Sequence, residues 1–197
     1  MSLEGKRIGF GITASHCTFS EVFPQLERLM QLKAEVVPIV TYTVRTTDTK
    51  FGKAKDHIDK IESITGKKVI TTIPEAEPLG PNSPLDCMVI APLTGNSLSR
   101  LANGITDSPV LMAAKATMRN QSPVVLGIAT NDALGLNGVN LMRLMNAKFV
   151  YFVPYGQDQP YLKPNSLVAD LNLLPETVSF ALEHEQLQPV IVPYTKK

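Results

Sequence analysis

Small polar residues follow four apolar runs of the sequence, and they are the side chains best suited to bind a ligand. These polar segments lie at 13–15 (Thr-Ala-Ser), 41–43 (Thr-Tyr-Thr), 94–97 (Thr-Gly-Asn-Ser) and 130–132 (Thr-Asn-Asp). Hydroxyl and amide groups form hydrogen bonds, so they suit a phosphate or the edge of a flat ring. The two cysteines and three scattered histidines lack metal-ligand spacing, so we expect no metal site.

Segment 88–98 is the clearest of the four. An apolar run stops at Pro92, and small polar residues follow before helix-forming residues resume. We predict a buried strand that ends at Ala91, a tight loop, and a short helix over 97–103. The first N–H groups of such a helix lack partners and its dipole end is positive, which suits a flat or anionic ligand. An ordinary strand-to-helix turn with Ser97 as N-cap explains the same residues, so both interpretations stay open.

A similar loop follows the first apolar run, residues 7–12. Thr18 and Glu21 have the spacing of a capping box, so we expect a helix to begin there. A strand, a small polar loop and a helix form the geometry in which backbone N–H groups surround a phosphate. The loop matches neither a P-loop nor the dinucleotide-binding fingerprint, and Gly9 and Gly11 also suit a closely packed strand.

Apolar runs typical of buried strands alternate with helical patterns along the chain. We place the strands near 7–12, 35–40, 87–91, 124–129 and 149–153. This alternation is typical of a parallel sheet covered by helices on both faces, so we predict a three-layer, doubly wound α/β fold. Ligands bind at the carboxyl ends of the strands in such folds, and the polar segments lie at these ends.

The overall composition is that of one globular domain, 1–197, with 44% hydrophobic and 19% charged residues. The formal net charge is +1, which makes nucleic acid and anionic membranes poor partners. Neither a signal peptide nor a membrane-spanning run is visible, so we expect a cytoplasmic protein. Prolines predict an irregular connection over 73–84, and the aperiodic segment 154–172 predicts a lid or a partner-binding arm.

The other residues that carry reactive groups have simpler explanations. Cys17 lies near a helix N-terminus, where the pKa of a thiol can fall, but an ordinary loop cysteine is expected. Cys87 begins a buried strand and is expected in the core. His57 and His184 fall on polar helix faces, where we expect them to be exposed.

Taken together, the polar loops resemble those of the flavodoxin-like flavoproteins that include the phosphopantothenoylcysteine decarboxylases and the flavin prenyltransferases. Segment 11–15 (Gly-Ile-Thr-Ala-Ser) is similar to the first phosphate-binding loop of that family. Segment 91–97 (Ala-Pro-Leu-Thr-Gly-Asn-Ser) is similar to the part that packs against the flavin. The resemblance implies a flavodoxin-like (Rossmann-like) fold, a homo-oligomer and bound FMN. The cofactor-binding residues that it implies are Gly11, Thr13, Ala14, Ser15, Thr41, Thr94, Gly95, Asn96 and Ser97.

Two asparagines are the catalytic candidates that the resemblance implies. By position, Asn131 faces substrate or flavin, and Asn96 borders the flavin ring. Arg45 or Lys115 is expected to pair with a carboxylate of the substrate. The phosphate is assigned to Thr13, Ser15 and Thr41, and the ring edge to Thr94, Asn96 and Ser97.

Several features of the decarboxylases are missing. That family carries a catalytic histidine just before the central strand, but no histidine lies between His57 and His184. Its Pro-Ala-Met-Asn motif appears here as 128–131 (Ile-Ala-Thr-Asn), so only Asn131 carries over. No cysteine follows Cys87, so the lid cysteine is absent. We therefore do not expect cysteine decarboxylation.

Within this family, the resemblance runs nearly end to end to the flavoprotein-like component of a two-component oxidoreductase of sporulating bacteria. Segments 9–18, 76–81, 85–97, 130–138 and 188–189 carry this resemblance. It implies oxidation of a dihydro precursor to pyridine-2,6-dicarboxylate in the mother cell. It also implies a partner, the A subunit of that oxidoreductase, which brings a nicotinamide-binding Rossmann domain.

The route of the hydride stays open, because either FMN or the nicotinamide of the partner is a suitable acceptor. Two alternative functions also stay open. One is a non-catalytic scaffold with a vestigial flavin pocket, and the other is a flavin-dependent decarboxylase or prenyltransferase-like enzyme.

Overall fold

A seven-stranded β-sheet organises residues 2–193, the part of the chain that this computed structural model describes. Its strands are β1 (Arg7–Ile12), β2 (Glu35–Val40), β3 (Cys87–Leu93), β4 (Val124–Thr130), β5 (Val150–Phe152), β6 (Tyr155–Gly156) and β7 (Leu167–Ala169). The spatial order is β2-β1-β3-β4-β7-β6, and β5 pairs with the first half of β4. Strands β1 to β5 are parallel, as predicted, whereas β6 and β7 pair in antiparallel fashion.

Helices cover the sheet in two groups, as expected for a doubly wound α/β fold. Helices α1 and α8 contact each other and the sheet, and α6 contacts β1 to β4 together with α4 and α5. The helices are α1 (Phe19–Gln31), α2 (Tyr42–Thr46), α3 (Ala54–Thr65), α4 (Ile73–Ala76), α5 (Gly95–Ala102), α6 (Pro109–Arg119), α7 (Gly138–Met145) and α8 (Leu174–Leu182). Among the described residues, no helix is both long and apolar enough to cross a lipid bilayer.

The central strands are largely apolar because both faces of the sheet are covered. All seven residues of β3 are buried, and in β1 only Arg7 is not. The parallel register pairs Ile12 with Val40, and the hydrogen bond from the Thr13 N–H to the Pro92 carbonyl continues the contact between β1 and β3. The carboxyl ends of these strands therefore meet at one edge of the sheet.

The central loop differs from its prediction in where the strand ends and the helix begins. Strand β3 continues to Leu93, which pairs with Ile128 of β4 after a register shift. Helix α5 begins at Gly95, and its N-cap is Thr94, whose hydroxyl accepts a hydrogen bond from the Ser97 N–H at 3.4 Å. The prediction of Ser97 as N-cap is wrong, because the Thr94 hydroxyl caps the helix and Gly95 and Asn96 already belong to α5.

Two other local predictions also need correction. Segment 73–84 is not irregular throughout, because Thr72 and Glu75 form a capping box that starts α4, and a 3₁₀ turn follows at Glu77–Leu79. Helix α1 does follow Thr18, but the Thr18 hydroxyl donates to the Ser15 carbonyl at 2.8 Å and forms no capping box.

Segment 154–172, predicted as a lid or arm, contributes two short strands to the sheet. Val168 of β7 lies opposite Ala129 of β4, and β6 pairs with β7 on its outer side. Near the end of the described residues, Ile191 forms a single β-bridge with Tyr155. The role of a lid stays a prediction.

Gly11 offers a direct test of the packing between β1 and α6. A Cβ atom at this position would lie 2.7 Å from both Met88 Cε and Val110 Cγ1. We predict that Gly11→Ala lowers the free energy of unfolding by about 1–3 kcal/mol, because the added methyl group overpacks the core. Urea unfolding followed by circular dichroism measures this change.

The matched control is Gly138→Ala at the start of α7. There the nearest contact of an added Cβ is the Ala133 carbonyl oxygen at an ordinary 3.4 Å. This variant should be as stable as the parent or slightly more stable. Equal stability of the two variants would show that the space around Gly11 is not restrictive.

Candidate active site

A cavity of about 1250 Å³ opens at the edge of the sheet where β1, β3 and β4 end. It brings together five of the predicted site residues, which come from three different loops: Ser15, Thr94, Gly95, Asn96 and Asn131. Segment 154–172 forms another part of the wall through Gln157, Asp158, Gln159 and Lys163. Nothing in the periodicity of the sequence indicated that these four residues would line the cavity.

Thr13 lies beneath the cavity rather than in its wall. Its side chain is fully buried, and its hydroxyl donates to the Pro92 carbonyl at 2.7 Å. The same oxygen accepts a hydrogen bond from the Thr94 N–H at 3.0 Å. Thr13 therefore ties the end of β1 to the loop after β3, and its assignment to the phosphate stays a prediction.

Four other predicted cofactor residues also lie outside the wall of the cavity. Gly11 is enclosed by core side chains, and Ala14 packs against the core. The buried Ser97 hydroxyl accepts a hydrogen bond from the Thr94 hydroxyl at 3.2 Å. Thr41 is next to the end of β1, because its N–H donates to the Ile12 carbonyl at 3.2 Å. Within the described residues its hydroxyl oxygen is buried without a hydrogen-bond partner.

The two asparagines meet the geometric requirement for contact with a ligand. Asn96 and Asn131 are both exposed and both line the cavity. The Asn131 side-chain oxygen accepts a long hydrogen bond from the Ser166 hydroxyl at 3.4 Å, and the amide nitrogen of Asn131 is oriented by this contact. Their catalytic role remains a prediction that rests on this placement.

Acidic groups dominate the charge of the wall. The carboxylates are those of Glu21, Asp132, Asp158 and Asp170, and Lys163 is the cation among the described lining residues. Lys163 Nζ lies 3.6 Å from Asp158 Oδ2. Burial pushes the pKa of Asp158 upward, but hydrogen bonds from Ser166 and from backbone N–H groups, together with Lys163, hold this pKa below its usual value.

The cations expected to pair with a substrate carboxylate are elsewhere. Arg45 donates to the Thr71 hydroxyl at 3.4 Å and does not line the cavity. Lys115 borders a separate groove of about 320 Å³, together with Glu77 and Arg119.

His16 and His57 form a buried cluster with Phe19 and Phe23 beside the first loop. His57 is only 8% exposed, so the prediction of an exposed side chain is wrong. Its ring centroid lies 4.9 Å from that of Phe19 and 5.9 Å from that of His16. The loop before α3 covers this ring, because Gly52 approaches it so closely that a Cβ would lie 2.7 Å from His57 Cε1. The burial of His57 depends on a contact with this loop, which cannot be predicted from the helical periodicity of the sequence.

Burial lowers the pKa of both histidines below the ordinary value of 6.5. For His16, a hydrogen bond to the Ala14 backbone partly opposes this effect. For His57, the charges of His16 and Lys60 lower the pKa further, and Asp56 opposes them. Neither Nε2 atom has a hydrogen-bond partner within the described residues, so the folded state favours neutral rings.

We predict that the free energy of unfolding falls as the pH drops below about 6.5. Below this pH the histidines of the unfolded chain bind protons. In the folded chain their pKa values are lower, so His16 and His57 stay neutral to a more acidic pH. The variant His57→Phe should reduce this dependence, whereas His184→Phe, at an exposed position, should retain it. Urea unfolding at a series of pH values from mildly acidic to mildly basic measures the slopes, and equal slopes for both variants would contradict the assignment.

Three comparisons with known proteins agree with this architecture. The family model described as Flavoprotein matches residues 1–164. The B subunit of dipicolinate synthase from Bacillus subtilis (strain 168) is 64% identical over 191 residues, which are 97% of this chain and 96% of that protein. The crystal structure of the corresponding B subunit from Bacillus halodurans C has a TM-score of 0.92 at 59% identity, over 99% of this chain and 100% of that chain.

A more distant structure supports the fold alone. The FMN-dependent cysteine decarboxylase SpaF gives a TM-score of 0.65 at 20% identity, over 93% of this chain and 98% of that chain. The predicted flavodoxin-like α/β fold is confirmed.

Proposed function

The chain belongs to the Flavoprotein family, and on that premise we propose that it acts as the B subunit of a dipicolinate synthase. In this role it contributes to the oxidation of a dihydrodipicolinate-type precursor to dipicolinate (pyridine-2,6-dicarboxylate) during sporulation. The observation that carries the proposal is the shared cavity that joins Ser15, Asn96 and Asn131, in a chain so similar to that protein over nearly its whole length.

Oxidation to the aromatic ring removes a hydride and a proton from the dihydropyridine. FMN, or the nicotinamide of the partner (the A subunit of the synthase), would supply the acceptor for the hydride, and the proton would pass to solvent. The contribution of this chain is orientation, because a ring held in the correct geometry reaches the transition state at a lower entropic cost. We assign that task to the exposed amides of Asn96 and Asn131, which can donate to the carboxylate oxygens of the precursor.

The hydroxyl and amide groups present fit the hydrogen-bonding groups of FMN. A buried hydroxyl is normally hydrogen-bonded, and a phosphate oxygen would satisfy the unpartnered Thr41 hydroxyl at the end of β2. We assign the phosphate to Thr41 and Ser15, and the ring edge to Thr94 and Asn96. FMN supplies a two-electron acceptor when it is bound.

The charge of the cavity supports a division of labour between the two components of the synthase. A dicarboxylate and a phosphate both require cations, but Lys163 already lies close to Asp158 and three further carboxylates line the wall. We therefore propose that the nicotinamide-binding partner, or a neighbouring copy in a homo-oligomer, supplies the missing positive charge. NAD(P) enters only through that partner. We place this complex in the cytoplasm of the mother cell.

The same shortage of cations supports a second candidate function. In that alternative the chain is a non-catalytic component with a vestigial flavin pocket, and it activates or positions the nicotinamide-binding partner. The two candidates differ in whether the side chains of the cavity affect the rate of the reaction.

We predict that Asn96→Ala and Asn131→Ala each lower kcat/KM for dipicolinate formation about tenfold or more, because each loses hydrogen bonds that orient the precursor. The assay uses both components of the synthase, co-expressed and purified together. Asn82→Ala is the matched control, since Asn82 is exposed and does not line the cavity. Full activity of both cavity variants would favour the scaffold.

A second experiment examines the cofactor separately from catalysis. We predict that the purified chain binds FMN, with a visible absorption band, and that Thr41→Val weakens this binding about tenfold because the phosphate loses a hydrogen bond. Thr43→Val, at an exposed position on α2, should bind FMN like the parent. A colourless parent protein that does not take up added FMN would contradict flavin chemistry.

A further inference from the structure

Asp132 occupies an unusual position at the wall of the cavity. Its carboxylate lies against Gly95, the first residue of α5, so closely that a Cβ on Gly95 would be 2.6 Å from Asp132 Oδ1. The same Cβ would lie 2.6 Å from Thr130 Oγ1 and 2.9 Å from Asn137 Nδ2. Only glycine therefore allows these three side chains to rest on the start of the helix.

Both oxygens of the Asp132 carboxylate have neutral donors. The Thr130 hydroxyl donates to Oδ1, and Asn137 Nδ2 donates to Oδ2 at 2.7 Å. Because the carboxylate lies at the positive end of the α5 dipole, it stabilises that end and disfavours a second anion there.

A chain of side-chain amides continues from this carboxylate. Asn137 Oδ1 accepts from Asn140 Nδ2 at 3.0 Å, and Asn140 Oδ1 accepts from Asn103 Nδ2 at 3.2 Å. Asn103 Oδ1 accepts from Arg143 Nη1 at 2.6 Å. The carboxylate only accepts and the guanidinium only donates, so the two charged ends fix the orientation of every amide between them.

This chain of amides runs beside α5 from its first residue to the residue after its last. Gly95 meets Asp132 at one end of the helix, and Asn103 meets Arg143 at the other. The two asparagines assigned to the substrate are neighbours of this contact in the sequence. Asn96 directly follows Gly95, and Asn131 directly precedes Asp132. A displacement of this contact would therefore move both amides.

We propose that Asp132 is a positioning residue, which sets the start of α5 against Asn131 through its contact with Gly95 and its link to Arg143. Its effect on the reaction rests on the proposed function. Its effect on α5 does not, because it is a property of the free protein. Asp132 acts through the two asparagines and is not itself assigned to the substrate.

The test compares Asp132→Asn with the double variant Asp132→Asn/Asn137→Asp. In the single variant the negative charge is lost. The oxygen of the new amide can still accept from Asn137 Nδ2, but its nitrogen then faces the Thr130 hydroxyl, which must accept instead of donate. In the double variant, the new carboxylate at position 137 accepts from Asn140 and from the new amide at position 132, whose oxygen again accepts from Thr130. An anion is thereby restored at this end of the chain of amides. Asp107→Asn is the control, because Asp107 forms an exposed ion pair with Arg100 at 3.4 Å.

Two measurements are made on each variant. Hydrogen exchange of the free protein follows the Ser97 and Leu98 N–H groups, which hydrogen-bond to Thr94 at the start of α5. We expect exchange about tenfold faster in Asp132→Asn and a return to within about threefold of the parent in the double variant. With the nicotinamide-binding partner present, kcat should fall about tenfold in Asp132→Asn, KM should change less than about threefold, and the double variant should recover.

Parental exchange at Ser97 and Leu98 in Asp132→Asn, or a double variant no better than the single one, would overturn the proposal. If Asp132→Asn fails to fold, Asn140→Ala interrupts the same chain of amides farther from the cavity, and about threefold faster exchange at the same two amides is expected. If the parental protein and its partner together form no dipicolinate, the proposed function fails, while the exchange data still decide the role of Asp132.

Discussion

The Thr13 hydroxyl is the contact on which the arrangement of the site depends. It donates to the Pro92 carbonyl and accepts from the Thr94 N–H, in a fully buried position. A buried hydroxyl that lost these partners would retain its full cost of desolvation, so the contact is strongly maintained. This contact ties the loop after β1, which carries Ser15, to the start of α5, which carries Asn96. It therefore positions these two parts of the cavity wall relative to each other.

The wall of the cavity combines neutral hydrogen-bond donors with carboxylates, and this combination limits which ligands the chain can bind by itself. Hydroxyls and amides can orient a ring and satisfy phosphate oxygens, but they do not neutralise a dianion. Among the described residues, four carboxylates and one paired lysine line the wall, so a dicarboxylate ligand needs positive charge from another chain. A protein that shapes the site while its partner completes the charge is consistent with these facts.

Polar groups away from the cavity serve different purposes. The buried histidines near the first loop have nitrogens without partners in the described part of the chain, and burial favours their neutral forms over their charged forms. The amides between Asp132 and Arg143 are instead engaged with one another along α5. Polar networks of the second kind define a unique geometry, because the carboxylate at one end only accepts and the guanidinium at the other only donates.

The local pattern of apolar and polar residues was enough to predict the main strands and the sheet edge at which they end. Contacts between residues distant in the sequence determined where individual strands and helices end and which polar atoms pair. Continuous apolar runs indicated parallel strands, whose aligned carboxyl ends bring Ser15, Asn96 and Asn131 together. In contrast, pairing with β4 extends β3 to Leu93, and the Thr94 hydroxyl rather than Ser97 caps α5. The loop around Gly52 buries His57. The antiparallel edge and the hydrogen bonds of the Asp132 carboxylate likewise have no periodic signature. The amino-acid pattern encodes which face of an element is apolar, whereas the partner of a given polar atom depends on how the elements pack, and that information is not local.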